Sequence, residues 1–206
     1  MIADEAKDSR LYQAALAGEE AAFTALYRRW QGSIYRFALR LSNSVSIAED
    51  VMQEAFLALL DANSRFDPEK GSFSSYLYGI ARNHVLRRMA RERLFTPIDE
   101  DRESDDTGVE MELRSTPDPL GNLAHQERIA SLYRAIAALP LRYREVVLLC
   151  ELEELGYAEA AHALGCPEGT IRSRLHRARA LLLNKLDRQA SQECRVPGIE
   201  PARCLP

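Results

Sequence analysis

The sequence predicts an all-α protein: two small helical domains joined by a flexible acidic linker, the second containing a helix-turn-helix. Three observations predict it. Apolar residues recur at spacings of three, four and seven along most of the chain, and no run alternates apolar with polar residues over β-branched positions. One stretch, 94–125, interrupts the helical pattern with acids, Ser, Thr, Gly and three prolines, Pro97, Pro117 and Pro119. The third observation is the turn Gly165-Cys166-Pro167 between two short amphipathic runs.

The elements follow in order. Residues 11–41 place Leu16, Phe23, Leu26, Tyr27, Trp30, Ile34, Phe37 and Leu41 on one helical face, with Gly18 and Gly32 as expected breaks. A second helix opens at Ser46, with Glu49 at the capping-box spacing, and runs to about Leu60. Its expected buried side is Val51, Met52, Ala55, Phe56 and Leu59. Residues 63–72 (NSRFDPEKGS) read as a loop, because Asn, Asp, Pro and Gly cluster there. A third helix spans Phe73 to Arg93. After the linker, helices are expected over 125–138, 141–153, 157–164 and 168–187, punctuated by Pro140, Gly156 and the Gly165-Cys166-Pro167 turn. The expected organisation is a domain over 10–93, the linker over 94–125, a domain over 126–188 and a loose tail over 189–206. Each domain is small but large enough for a core.

Bulk properties narrow the class. The chain has 206 residues, 46% hydrophobic and 28% charged, as soluble globular proteins do. No segment reaches the roughly 18–20 apolar residues that cross a bilayer, so no membrane insertion is expected. The start, MIADEAKDSR, lacks the positive tip and apolar stretch of a secretory signal. A cytoplasmic location is therefore expected, with the four cysteines as free thiols. The net charge of −4 argues against nucleic-acid binding only as an average. Residues 82–93 hold five Arg and one Glu, and residues 170–188 hold five Arg, one Lys and one Asp. Residues 98–112, with eight acids and one Arg, pull the average down. Two basic patches flanking an acidic stretch suit a polyphosphate partner.

The motif with the clearest chemistry is YAEAAHALGCPEGTIRSRLHRAR, 157–179. A bracing helix, a tight turn and a second helix form a helix-turn-helix, whose second helix enters the major groove. At 100° per residue, Ile171, Leu175, Ala178 and Leu182 face the core. Arg172, His176 and Arg179 line one flank; Thr170, Ser173, Arg174 and Arg177 line the other. A solvated cationic face is the ordinary alternative, but the opposing acids that would lace such a face are missing. In the first domain, Asp50, Gln53, Glu54 and Leu57 cluster on one side of the second helix. That cluster is either a docking face for a basic protein or simply a polar face, and spacing does not decide. Phe66, Phe73, Tyr76 and Tyr78 accompany the Arg-rich helix. Such rings stack on bases in single-stranded nucleic acid, yet Phe73, Tyr76, Leu77 and Ile80 are spaced as a core stripe. The core reading is the better one for the helix, and the loop 63–72 is better placed to touch a base.

Taken together, these segments resemble the extracytoplasmic-function (ECF) sigma factors of the sigma-70 family. AEDVMQEAFLALL (48–60) looks like that family's polymerase-binding helix. FSSYLYGIARNHVLRRMARER (73–93) looks like its strand-opening, −10 helix. LPLRYREVVLLCELEELGYAEAAHALGCPEGTIRSRLHRARALL (139–182) is similar to its −35-binding domain. The resemblance implies a sigma factor that directs promoter-specific initiation and is not an enzyme. Its implied partners are the bacterial RNA polymerase core, promoter DNA and an anti-sigma factor, with no cofactor. It assigns Asp50, Gln53 and Glu54, beside Leu57, to the clamp of the polymerase's largest subunit. It implies that the loop carrying Arg65, Phe66, Lys70 and Ser72 captures a base flipped from the −10 element, with Arg87, Arg88 and Arg91 on the adjacent backbone. Arg172, Ser173, His176 and Arg177, with Thr170 beside them, match positions facing the −35 element; Arg174 and Arg179 lie nearer phosphates. The linker would thread toward the RNA exit path. The chain departs from the family's pattern at Tyr76 (usually Trp), Gly156 (Ser or Thr) and Ala160 (Ile).

Other classes are less well supported by the residues. A conventional helix-turn-helix regulator would need a ligand pocket or dimer interface in 10–93. A metal or thiol sensor would rest on Cys194 and Cys204, which lack a Cys-x-x-Cys spacing. No catalytic set, phosphate-binding glycine loop or metal-spaced carboxylate cluster appears.

Overall fold

A computed structural model describes residues 2–61, 66–69, 71–95 and 119–193, and every regular element among them is helical. The calls on Arg65, Lys70, the acids of 98–112, Cys194 and Cys204 lie outside the described residues. In order, the elements are α1 (Ile2–Leu16), α2 (Glu20–Ser42), α3 (Val45–Leu59), α4 (Phe73–Phe95), α5 (Pro119–Ala137), α6 (Leu141–Val147), a π-helical turn (Leu148–Leu152), α7 (Tyr157–Leu164) and α8 (Glu168–Glu193).

The glycines divide as their backbone demands. Gly18 adopts φ 92°, a left-handed conformation that L side chains rarely take, and it ends α1. Gly32 was expected to break the chain as well; instead α2 runs straight through it. A mid-helix glycine costs about 1 kcal/mol, while fully burying one Ile, Phe or Leu side chain contributes about 1.5–3 kcal/mol. Ile34, Phe37 and Leu41 are all fully buried from α2, so packing outweighs propensity. The start of α3 also differs from expectation. Ser44, not Ser46, is the N-cap, its hydroxyl accepting from the Ile47 N–H at 3.3 Å. At the C-terminus of α2, Asn43 takes the left-handed conformation (φ 57°) and closes the helix with a 2.7 Å bond to the Leu39 carbonyl.

α2, α3 and α4 form the core of the first unit, and α1 packs on α2 and α4. From α3 come Val51, Ala55, Phe56 and Leu59 of the expected stripe, with Met52 only half-buried and Ile47 added, and from α4 Phe73, Leu77, Ala81 and Val85. α1 is tied down by Asp8, which is 1% exposed and accepts from Arg29 Nε (3.1 Å) and Trp30 Nε1 (3.2 Å) of α2. Tyr12, equally buried, places its ring 5.6 Å from Phe73 and 6.0 Å from Phe66. Its hydroxyl accepts from the Phe66 N–H. That settles Phe66, which was expected to touch a base: at 6% exposure, wedged between Tyr12, Phe73 and Tyr76, it is a core residue.

α5 begins at Pro119, six residues before the expected start, with proline at the first helical position where its missing N–H costs nothing. Over 141–153, where one helix was expected, α6 gives way to the π turn. Glu153 N–H reaches back five residues to Leu148, and Leu155 N–H bonds to Leu149, before Glu154 turns the chain with φ 56°. The wider turn keeps Leu148 and Leu149 both in the core and sends Glu151 and Glu153 to different neighbours. α7 and α8 form the expected pair around Gly165, which is left-handed at φ 62°.

The two helical units pack against each other, chiefly α4 on α7, and their buried side chains form one continuous cluster. Gly79 of α4 faces Ala163 of α7, where even an added Cβ would stand in ordinary contact, 3.4 Å from the Ala163 carbonyl oxygen. Polar contacts surround it. Arg82 Nε donates to Glu145 at 2.7 Å, Tyr78 hydroxyl to Glu153 at 2.5 Å, and Ser75 Oγ lies 3.2 Å from His162 Nδ1. Arg144 caps carbonyls at two helix ends, donating to Leu41 at 2.8 Å and to Ala137 and Leu139.

Candidate nucleic-acid interface

Two basic helices and one acidic face make up the candidate site. On α8, Ile171, Leu175 and Ala178 are buried and Leu182 partly so, leaving the residues on either side of that stripe for a groove. Arg172, Ser173, His176, Arg177 and Arg179 are exposed, and Thr170 and Arg174 half-buried. Several have partners within the protein, and the opposing acids that looked missing in the sequence are supplied to this face by Glu168 and Glu151. Arg172 donates to Glu168 at 2.8 Å, and Ser173 Oγ to the Thr170 carbonyl. Arg179 reaches Glu151 of the π turn through Nε at 3.2 Å. Arg177 hydrogen-bonds the Tyr143 phenol and so holds its pKa below the ordinary tyrosine value. The bracing helix α7 starts without a side-chain cap, since Gly156 has none to offer. Only the return half of a capping box is present, Glu159 accepting from the Gly156 N–H at 2.9 Å. Gly156→Ser should supply the missing acceptor and raise stability by a few tenths of a kcal/mol, about the usual gap between serine and glycine caps; thermal unfolding of the variant checks this. Ala160, where the family favours Ile, is fully buried.

On the first unit, Leu57 is 67% exposed, as the clustering around it requires, with Gln53 exposed beside it. Asp50 and Glu54 are half-buried and not open carboxylates. Arg88 of α4 bridges them, with Asp50 Oδ2 at 2.9 Å from its Nη1 and Glu54 on its Nη2. His84 Nδ1 adds a 2.7 Å contact to Glu54. The Arg88 hydrogen bond, reinforced by His84, keeps Glu54 below the usual carboxylate range against the opposing effect of burial. Arg88, expected on a phosphate, thus faces acids, while Arg87 and Arg91 stand exposed on the same helix. Ser72 caps α4, accepting from the Ser75 N–H at 3.2 Å.

Sequence reasoning missed the contacts between the units. Tyr78, buried and donating to Glu153, has its ionisation suppressed by desolvation and by that carboxylate. The only signal in the sequence was an arginine, Arg82, at the start of a basic run, on the face of α4 that also carries Ser75 and Gly79. Cys150 behaves as a packed residue: burial pushes its thiol up to about 11, well away from a reactive thiolate. Among the described residues no group of His, Cys, Asp and Glu is placed to hold a metal ion, and no helix is long and apolar enough to cross a membrane.

A helical unit with a basic helix, packed on a second unit built around an Arg-flanked helix-turn-helix, defines a DNA-binding transcription protein of the sigma type. Comparison with known proteins agrees: the family model of sigma-70 region 2 matches residues 26–95, and that of sigma-70 region 4 matches 129–182. The ECF RNA polymerase sigma factor SigE of Mycolicibacterium smegmatis is 34% identical over 92% of this chain and 71% of its own length. The ECF RNA polymerase sigma-E factor of Haemophilus influenzae is 30% identical over 90% of this chain and 98% of its own. Among solved structures, the sigma factor RpoE from Bartonella quintana, crystallised with the anti-sigma factor NepR, is 26% identical with a TM-score of 0.59, over 80% of this chain and 96% of that one. The chain belongs to the ECF RNA polymerase sigma factors of the sigma-70 family.

Proposed function

We propose that this sigma factor binds the core polymerase through the α3 face around Leu57 and reads a promoter with its two basic helices. The first unit, 10–93, engages the −10 element through Arg87, Arg91 and the loop that carries Arg65, Lys70 and Ser72. The second, 126–188, engages the −35 element through Arg172, Ser173, His176 and Arg177, with Arg174 and Arg179 at phosphates. Arg88 keeps a second role in this reading, holding Asp50 and Glu54 at fixed positions beside Leu57. The chain supplies recognition and no chemistry of its own, and it works where the polymerase works, in the cytoplasm. An anti-sigma factor, as in the RpoE complex, would restrain it.

The observation that carries the polymerase assignment is Leu57, a large apolar side chain 67% exposed next to Gln53 and a fixed pair of acids. An isolated apolar residue in solvent needs no explanation, but one ringed by ordered polar groups resembles the centre of an interface. Leu57 is largely exposed, so the melting temperature of Leu57→Arg should stay close to the parent's. Co-purification with core polymerase should fall at least tenfold, about the loss of one anchor in an interface centre. Undiminished capture of the variant by core polymerase rejects the assignment.

A further inference from the structure

Three residues outside the candidate set surround one flank of the recognition helix. Tyr157 is the first residue of α7, Glu168 the first of α8, and Glu151 belongs to the π turn. The Arg172 guanidinium carbon lies 5.8 Å from the centre of the Tyr157 ring, while its Nη2 donates to Glu168 at 2.8 Å. One turn pair further along the same flank, Arg179 gives Nε and Nη2 to a single oxygen of Glu151, at 3.2 and 2.5 Å. The Tyr157 side chain also hydrogen-bonds Arg179, and together these contacts favour its charged form. Tyr157 therefore lies against both arginines, and a carboxylate holds each.

We propose that Tyr157, Glu151 and Glu168 are positioning residues: they fix the side-chain orientations of Arg172 and Arg179 on α8 and so set which base pairs that flank of the helix accepts. The inference rests on the reading of α8 as the −35 recognition helix.

The physical case has three parts. A free arginine samples many rotamers, and a bidentate contact to a guanine edge needs one of them. Arg172 gives one of its donors to Glu168, which leaves the others for a base. Arg179 gives Glu151 its Nε and Nη2, and neither of these two bonds uses Nη1. Secondly, the pairs contribute little to folding: Arg172 is 67% exposed and Glu168 46%, a setting in which ion pairs are nearly neutral for stability. Thirdly, a carboxylate on a DNA-facing flank repels phosphates and weakens binding of every sequence alike. Acids kept there at a cost to affinity are accounted for by orientation.

The test uses holoenzyme, the full chain with core polymerase, on promoter fragments carrying every single substitution across the −35 element. Glu168→Gln, Glu151→Gln, Tyr157→Phe and Tyr157→Leu are compared with the parent, each with its melting temperature. For Glu168→Gln we expect affinity for all fragments to rise slightly, while the ratio of best to substituted fragment falls about fivefold at one base pair, within the range of a single good base contact. Tyr157→Phe keeps the ring over Arg172 and should preserve that preference, whereas Tyr157→Leu should lose it. If both Gln variants bind every fragment more tightly with the parent's ratios intact, the acids act only as charges and the proposal is overturned. Parent holoenzyme showing no −35 preference at all would instead reject the reading of α8 on which the proposal stands.

Discussion

Arg82→Met should open the contact between the two units. Arg82 Nε lies 2.7 Å from Glu145, and the two side chains are 21% and 4% exposed. Removing one partner of such a buried pair leaves an uncompensated charge, which costs about 3–5 kcal/mol. Glu145 can reduce that cost by taking up a proton or by meeting water, and the polar contacts around it favour the second. Tyr78–Glu153, Arg40–Glu153 and Ser75–His162 are polar contacts that hydration can replace. Separation exposes part of the apolar cluster that the units share, but it relieves the stranded charge with each helical unit kept intact, and it is the response expected here. The expected observations are a larger radius of gyration by X-ray scattering, faster amide exchange along α7, and unchanged helical circular dichroism. Glu145→Gln should do less, because the stranded Arg82 can turn toward solvent. Scattering and exchange identical to the parent in Arg82→Met would show that this pair does not hold the units together. In the proposed reading, parting of the α4–α7 contact would let α4 and α8 engage two separate promoter elements.

The fold was legible in the sequence because helical periodicity survives local irregularity. The α3 stripe and the α8 stripe were placed correctly by 3.6-residue spacing alone, and the α7–α8 turn by Gly165 and Pro167. The errors occurred where a tertiary contact outweighed a local signal. Gly32 stays helical because its neighbours are buried, and Ser44 caps α3 because the bend at Asn43 fixes where the helix begins. The π turn has no sequence signature that periodicity can register, since one inserted residue resembles a slightly irregular stripe. The site was legible as residue types but not as pairings. Arg88 belongs to the basic run, yet it lies against Asp50 and Glu54, and no one-dimensional pattern carries that information. Phe66 was misplaced for a related reason: an aromatic in a polar loop looks available for stacking until Tyr12, 54 positions earlier, closes over it.

The second large effect is expected on α8. Arg177→Ala should cost about 1–3 kcal/mol at one base pair of the −35 element, the worth of a bidentate arginine contact to guanine. Preference at that position should relax, while the dependence of affinity on salt changes little. Arg172→Ala should do the same at a different position, since it stands on the other flank of the buried Ile171–Leu175–Ala178 stripe. Arg174, by contrast, is proposed to contact a phosphate, so Arg174→Ala should lower affinity for all sequences and drop the salt slope by about 1. Arg177 carries an internal control. Its hydrogen bond lowers the pKa of the Tyr143 phenol, so Arg177→Ala should move that titration upward. The sign follows from removing a cation that favours the phenolate, and ultraviolet absorbance between neutral and strongly alkaline pH will follow it. An upward shift shows that the contact exists in solution, and the base-preference measurement then isolates what the same arginine does on DNA. Base preferences that survive both Arg172→Ala and Arg177→Ala would remove these residues from readout and leave α8 as a phosphate-binding helix.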